Sequence, residues 1–346
     1  MLITKELGLQ ERIDLLIQLG RYLREDTEAR RAATQLAGLH NKWFTKVSIQ
    51  QALGQIATNL LDPKALCTAS QLYPQLLIAN RKPRAVGLVL AGNIPAVGFH
   101  DILTVFLAGH QALIKLSSKD KYLIRFLLSS LYKLDERVKE YLQIVPMLKR
   151  MDAVIATGSD NSARYFQQYF AKYKHIIRRN RNAVAVLDGT ETNEELHLLG
   201  RDVFSYFGLG CRSVSKVYLP SGYAIEPLME RLDLFSSIMN HNKYRNNYEY
   251  NRSVYLLSVI PHFANDCVLL LEQEALVSRI ATLHYEFYKD EADVLSKLKA
   301  RERNIQCIST QMNLSNVSTV SLGTTQQPSL WDYADKVDTL AFLLSI

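Results

Sequence analysis

An α/β fold, built on an open and mostly parallel sheet with helices on both faces, is what the sequence predicts, because short apolar runs alternate with helical segments from Ala85 onward. Two further observations frame it. At 346 residues the chain exceeds one ordinary core, which favours two domains. Hydrophobic residues make up 48% and charged ones 22%, the balance of a soluble globular enzyme.

Residues 4 to about 80 read as helices. Apolar side chains recur at helical spacing in Leu7–Leu23, Ile49–Leu61 and Leu66–Ile78, and Asp62-Pro63 is a break. Arg81-Lys-Pro-Arg84 closes that region. Strands are then expected at Ala85–Ala91, Ala112–Leu116, Asp152–Thr157 and Ala183–Leu187, with helices at Val97–Ala108, Tyr122–Leu134 and Ser162–Tyr173 between them. The second half starts with a helix from about Asn193 to Phe207, then a strand at Ser215–Leu219 and a helix over 223–240. His241–Arg252 is polar and aromatic without clear period, a loop or a solvated helical face. Arg279–Tyr285 and Asn304–Ser309 look like strands, and the amphipathic tail Leu330–Phe342 ends in an apolar run suited to docking. Neither internal repeats nor low-complexity tracts appear.

The formal net charge of +7 is modest for this length, and no RNA- or DNA-binding motif accompanies it, so nucleic acid is not the expected partner. An anionic small ligand explains the excess equally well. No apolar run approaches the roughly 18 residues a spanning helix needs. The four cysteines form no CxxC pair and no secretory signal precedes them, which predicts a reduced, cytoplasmic protein. Cys67, Cys267 and Cys307 lie in apolar segments and read as core. The eight histidines show no metal-ligand spacing, so no metal is expected. A structural role is expected for His100, His175 and His284.

Polar residues collect at the predicted strand ends, where ligands bind such sheets. Gly92-Asn93-Ile-Pro95 follows the first strand, Lys115-Leu-Ser117-Ser118-Lys119 the second and Thr157-Gly158-Ser159-Asp160 the third. A GxGxxG fingerprint after a strand is absent. Gly158-Ser159 opening a helix can receive a phosphate on free N–H groups, or Ser159 or Asp160 can be an ordinary N-cap. Between Phe204 and Pro220, Cys211 stands behind two glycines and ahead of a strand. A thiol in that turn can attack a bound acyl group.

Asn93, Lys115, Gly158-Ser159 and Cys211 come in the order, and on the elements, that mark the aldehyde dehydrogenase superfamily. There, a strand leads to an Asn two residues before a Pro, the next ends in Lys-Pro-Ser-Glu (Lys115-Leu-Ser117-Ser118 here), and a third ends in Thr-Gly-Ser. The catalytic cysteine follows a glycine by three residues, as Cys211 follows Gly208. Glu274–Tyr285 resembles the superfamily's Glu-x-Phe-Gly-Pro segment, though only the Glu and the apolar pattern survive. Where hydrolytic members carry the water-activating Glu of Glu-Leu-Gly-Gly-Lys, this chain has Ile177-Arg178-Arg179-Asn180-Arg181, which offers no carboxylate. With the helical N-terminal region, the shortened chain and the phrases Arg178–Val186 and Phe207–Tyr218, the whole resembles the long-chain acyl-CoA reductases, the fatty-acid reductases of bacterial luminescence.

That resemblance implies an aldehyde-dehydrogenase-like fold with two Rossmann-like domains. Residues 1–190 would hold the helical lead-in and an NADP-binding domain, 191–310 the cysteine domain, and 311–346 a segment returning to the cofactor domain or an interface. It implies NADPH-dependent reduction of an acyl-CoA to the aldehyde through S-acyl-Cys211, with Asn93 in the oxyanion hole. Lys115 would hold the adenosine ribose, Gly158 and Ser159 the pyrophosphate, and Glu274 the nicotinamide ribose, with Ser117 and Ser118 also binding the cofactor. Ser118 and Lys119 in place of a Glu favour the 2′-phosphate of NADPH over NADH. A homo-oligomer is implied too, and an acyl-activating partner enzyme is compatible with this chemistry. Arg178–Arg181 could bind a CoA phosphate, though water or an interface is the preferred reading. The rival readings are a cysteine acyltransferase or thioesterase without hydride transfer, and a non-catalytic cofactor- or nucleic-acid-binding protein.

Overall fold

The computed structural model describes residues 6–78 and 82–346. Arg81, expected to close the helical region, lies outside them, as do residues 4, 5, 79 and 80. The chain divides into two compact units, one comprising the residues up to Asn180 with Pro328–Ile346, the other Arg181–Gln327. The first division falls ten residues before the expected 190, because the strand expected at Ala183–Leu187 pairs in the second sheet. Residues 311–327 also stay with the second unit, and only the segment from Pro328 returns to the first.

The first unit holds a five-stranded parallel sheet of order β3-β2-β1-β4-β5, made of β1 (Ala85–Val89), β2 (Gln111–Lys115), β3 (Leu142–Ile144), β4 (Ala153–Thr157) and β5 (Lys174–Arg178). Both faces are packed, as the alternation along β4 shows. Ile155 joins the large core with the helices Phe99–Leu107 and Tyr122–Leu134, while Val154 and Ala156 join a smaller one with Leu148, Met151 and Phe170. The N-terminal helices Leu9–Tyr22, Glu28–His40 and Lys46–Gln55 bury Leu16, Leu19, Ala33, Ala37, Ile49 and Leu53 in the large core. The tail adds Leu330, Tyr333, Leu340 and Leu343 to it. Helix Ser162–Tyr173 was expected to run four residues further than it does; it spans Asp160–Tyr169, and Lys174–Arg178 is a strand instead.

That strand corrects the preferred reading of Arg178. Arg178 Nη1 donates to both oxygens of Asp101, on helix Phe99–Leu107, at 2.6 and 2.7 Å, and Nη2 donates to Thr339 Oγ1 at 2.9 Å. Both partners are buried. The guanidinium therefore serves neither water nor an interface but ties β5, that helix and the tail together. Arg178→Ala would strand a buried carboxylate, so a loss of about 3–5 kcal/mol in unfolding free energy is expected, read as a lower urea midpoint. Arg178→Met with Asp101→Leu should recover most of it, since removing both charges is far cheaper than removing one.

The second unit holds a six-stranded sheet of order β11-β6-β7-β10-β9-β8. Its strands are β6 (Asn182–Val186), β7 (Val214–Pro220), β8 (Phe263–Ala264), β9 (Leu269–Glu272), β10 (Thr282–Tyr288) and β11 (Ile305–Ser309). All pairs are parallel except β8 with β9. Val184, Val186, Tyr218, Tyr288, Val294 and Leu298 form part of its core. Of His241–Arg252, His241 is the N-cap and the rest falls in helix Asn242–Leu257. Of the cysteines read as core, Cys267 is buried, but Cys67 is exposed and Cys307 half-buried; Cys67 ends the short helix Pro63–Cys67, where Leu66 takes the inward position instead. Among the described residues, no helix is long and apolar enough to cross a membrane.

Candidate active site

In the first unit the expected residues gather at the carboxyl ends of β1, β2 and β4, which are neighbours in the sheet. Asn93 is half-buried in the turn between β1 and helix Phe99–Leu107. Gly92 explains how that turn meets the next one: a Cβ there would stand 2.5 Å from Ser117 Oγ, so only glycine lets the two loops touch. Lys115 is the exposed last residue of β2, Ser117 is half-buried and Ser118 is exposed. The helical region supports this loop, since His40 Nε2 lies 2.8 Å from Ser118 O and Asn41 Nδ2 donates to Lys119 O at 3.3 Å.

Asp120, which no local pattern marked, joins the two loops from within. It is 3% exposed, and its carboxylate accepts from Ala96 N at 2.7 Å and Leu123 N at 3.3 Å. Ala96 has φ +54°, a backbone conformation that costs an alanine free energy and persists only where surroundings impose it. Burial pushes the Asp120 carboxyl up to about 6, against the pull of the N–H groups of Ala96, Leu123 and Ile124. A raised acid binds its proton more readily in the folded chain than in the unfolded one. Its contribution to stability is therefore largest below the unfolded value and falls as pH rises through about 6. Asp120→Asn should remove up to about 1.4 kcal/mol per pH unit of that fall between about pH 4 and 6, seen by urea unfolding at several pH values.

Ser159 is the N-cap of helix Asp160–Tyr169, its hydroxyl accepting from Ser162 N at 3.3 Å. Gly158 donates its N–H to Arg178 O at 3.3 Å, and a Cβ on it would meet Ser162 Cβ at 2.8 Å and Phe166 at 2.9 Å. Close helix packing thus accounts for the glycine by itself. The exposed helix start leaves N–H groups of its first turn for an anion, while Asp160 in that turn adds an opposing charge.

In the second unit Cys211 is half-buried in the turn between the short 3-10 segment Ser205–Gly208 and β7. Tyr206, Phe207 and Gly208 have φ of +53°, +60° and +73°. Two consecutive left-handed aromatic residues are costly, and such strain concentrates at functional sites. A buried network supports the turn. Asp202, 1% exposed, accepts from Ser309 Oγ, Gly323 N, Thr325 N and Thr325 Oγ1 at 2.8–3.1 Å. Next to Thr325, Gln326 Nε2 donates to Ser213 Oγ at 3.2 Å, and that oxygen also accepts from Gly210 N at 3.2 Å. Asp202 and Gln326 carry no motif, and only folding links them to the turn that holds Cys211 and Ser213.

Glu274 follows β9 with its side chain 86% exposed and a carboxylate oxygen 3.7 Å from Arg301 Nη2. Its backbone carbonyl accepts from Lys216 Nζ at 2.7 Å. Lys216, a fully buried lysine on β7, is another residue the sequence did not single out.

Known proteins agree with this architecture. A long-chain acyl-protein thioester reductase of Photorhabdus laumondii is 22% identical over 174 residues, covering 45% of this chain and 36% of that protein. The match thus spans little more than a third of that curated relative's length. Among solved structures, aldehyde dehydrogenase 21 from Physcomitrella patens aligns over 98% of this chain and 84% of its own with a TM-score of 0.71 at 14% identity. An oxidoreductase from Marinobacter aquaeolei aligns over 94% and 80% with a TM-score of 0.70 at 13% identity. At such identities the likeness concerns the fold, which is that of the aldehyde dehydrogenases. Residues 23–244, a stretch that takes in Asn93, Lys115, Gly158, Ser159 and Cys211, match the family described as acyl-CoA reductase (LuxC), and the chain belongs to that family.

Proposed function

We propose that this protein reduces an acyl thioester, a long-chain acyl-CoA being the favoured donor, to the aldehyde with NADPH through an S-acyl intermediate on Cys211. The observation that carries the reading is the Cys211 turn, strained, held by the Asp202 network and lying within the stretch matched by the acyl-CoA reductase family.

The Cys211 thiolate attacks the thioester carbonyl, and the resulting oxyanion is met by the Asn93 side chain and the Cys211 N–H. Collapse expels the CoA thiolate and leaves the acyl group on sulfur. Lys115 would hold the adenosine ribose with Ser117 and Ser118, the first turn of helix Asp160–Tyr169 the pyrophosphate, and Glu274 the nicotinamide ribose. The cofactor supplies the hydride. Asn93 and the Cys211 N–H steady the second oxyanion, which collapses to aldehyde and frees the thiolate.

The charges on the loop after β2 support this assignment. Gly92 lets that loop pack against the turn after β1, and Lys115 and Lys119 are exposed cations. The nearest carboxylate in the loop, Asp120, is turned inward to Ala96 and Leu123. Ser118 and Lys119 therefore face a 2′-phosphate with no opposing charge from that loop, which favours NADPH. Hydrolysis of the thioester is disfavoured, because the segment from Ile177 to Arg181 has no carboxylate where hydrolytic aldehyde dehydrogenases carry their water-activating Glu.

Acyl-CoAs of increasing chain length, and an acyl-protein thioester of the kind that names the Photorhabdus laumondii relative, are incubated with the protein, and the mass of the Cys211 peptide is followed. NADPH or NADH is then added and its absorbance recorded. An adduct consumed with NADPH oxidation and aldehyde release is the expected result. An adduct without NADPH oxidation would make the protein an acyltransferase, and no adduct would leave it a binding protein. A clear NADH preference would overturn the role given to Ser118 and Lys119.

A further inference from the structure

Four consecutive backbone carbonyls of the loop after β9 are each held by a side chain from β7 or β10. Lys216 Nζ donates to Gln273 O at 2.9 Å and to Glu274 O at 2.7 Å, His284 Nδ1 lies 2.8 Å from Ala275 O, and Ser215 Oγ donates to Leu276 O at 2.7 Å. Ser215 and Lys216 belong to β7 and His284 to β10, the strand between β7 and β9, so these two strands grip the chain as it leaves the sheet.

Lys216 is the costly member of this set. It is 0% exposed, and its third donor goes to the carboxylate of Glu286 on β10, which also binds Lys297 Nζ at 2.5 Å. The ammonium's three N–H donors are thereby all used. Burying a charge is expensive even when it is paired, and apolar residues of similar volume often do as well or better for stability. A methionine at 216 would satisfy the core but leave the carbonyls of Gln273 and Glu274 unheld. The Glu274 side chain itself is exposed and only loosely paired with Arg301, so its position depends on its backbone.

We propose that Lys216 is a positioning residue for the cofactor, fixing the backbone at 273–274 so that the Glu274 carboxylate meets the nicotinamide ribose. The proposal deepens the reading of Glu274 given above and rests on it. Lys216 touches neither substrate nor the reacting sulfur, and acylation of Cys211 proceeds without it.

The test separates cofactor affinity from acylation in Lys216→Met, in Lys216→Met with Glu286→Leu, and in Glu274→Ala. The double variant removes both members of the buried pair and is the better tolerated form. Affinity for NADPH is read by titrating the nucleotide's fluorescence, and acylation by the mass of the Cys211 peptide after acyl-CoA is added without nucleotide. All three variants are expected to bind NADPH at least tenfold more weakly, and the two Lys216 variants to acylate within twofold of the parent. Adding Glu274→Ala to the double variant should weaken binding little further, because both act on one contact. Parent-like affinity in the double variant overturns the proposal, and so does a loss of acylation equal to the loss of affinity, which would mark a general structural role. Parent-like affinity in Glu274→Ala overturns instead the reading of Glu274 itself, independently of what the Lys216 variants show.

Discussion

Cys211→Ser is expected to lower acyl-CoA reduction by roughly four orders of magnitude or more and to abolish the S-acyl adduct. A thiol ionises far more readily than a hydroxyl, and the thiolate is the better nucleophile and leaving group. A serine at 211 would keep the turn, because it offers a similar volume and leaves the supporting contacts untouched. Those contacts run from Asp202 through Thr325 and Gln326 to Ser213 and Gly210. Binding of NADPH should therefore survive while turnover vanishes. The adduct must be located by peptide mass, since Cys67 is exposed and Cys307 half-buried. Cys267 is a weaker competitor, being buried with its thiol pushed up to about 12. Acylation persisting in Cys211→Ser, or mapping to Cys67 in the parent, would remove the nucleophile from the scheme.

Asn93→Ala should slow both acylation and reduction by about a hundredfold or more, the roughly 3 kcal/mol that one oxyanion donor is worth. In the proposed cycle an oxyanion forms twice, so a shared donor must affect both halves. Single-turnover acylation, followed by mass, and NADPH oxidation from the preformed adduct separate the two. The KM for acyl-CoA should change little, because the donor acts on charge that exists only in the transition state. The turn bearing Asn93 is held by Asp120 through Ala96 and by the close approach of Gly92 to Ser117. Removing one half-buried amide should leave that support in place, so unfolding in urea serves as the control. A variant that acylates at the parent rate and fails only in reduction would assign Asn93 to the second half alone.

Much of the first sheet could be read directly from local pattern. β1, β2 and β4 are apolar runs bounded by turn residues and separated by helical period, and helix Tyr122–Leu134 has the limits its pattern predicts. Other elements gave no such signal. β5 begins with Lys174-His175 and ends in Arg178, so it looks like the basic end of the preceding helix until Arg178 finds Asp101 and Thr339. β3 and β8 are three and two residues long, too short for a period to appear. Helix Asn242–Leu257 is rich in asparagine and tyrosine, which are indifferent helix formers. It is held by tertiary hydrogen bonds from Tyr244 to Cys267 O, Tyr248 to Asn265 O and Asn251 to Ile280 O.

The candidate site divides in the same way. Residue type and local order were enough to single out Asn93, Lys115, Gly158, Ser159 and Cys211, because turns that follow strands and open helices have their own composition. The same order along the chain carried the resemblance to the acyl-CoA reductases. Only the tertiary structure decided that Ala183–Leu187 pairs in the second sheet, that Arg178 is locked inside the first unit, and that Asp120, Asp202 and Lys216 brace the loops that carry Asn93, Cys211 and Glu274. Each of those supports is a buried charge with at least one partner far along the chain or on another strand, and a charge in a sequence looks like surface until folding supplies the groups that pair with it.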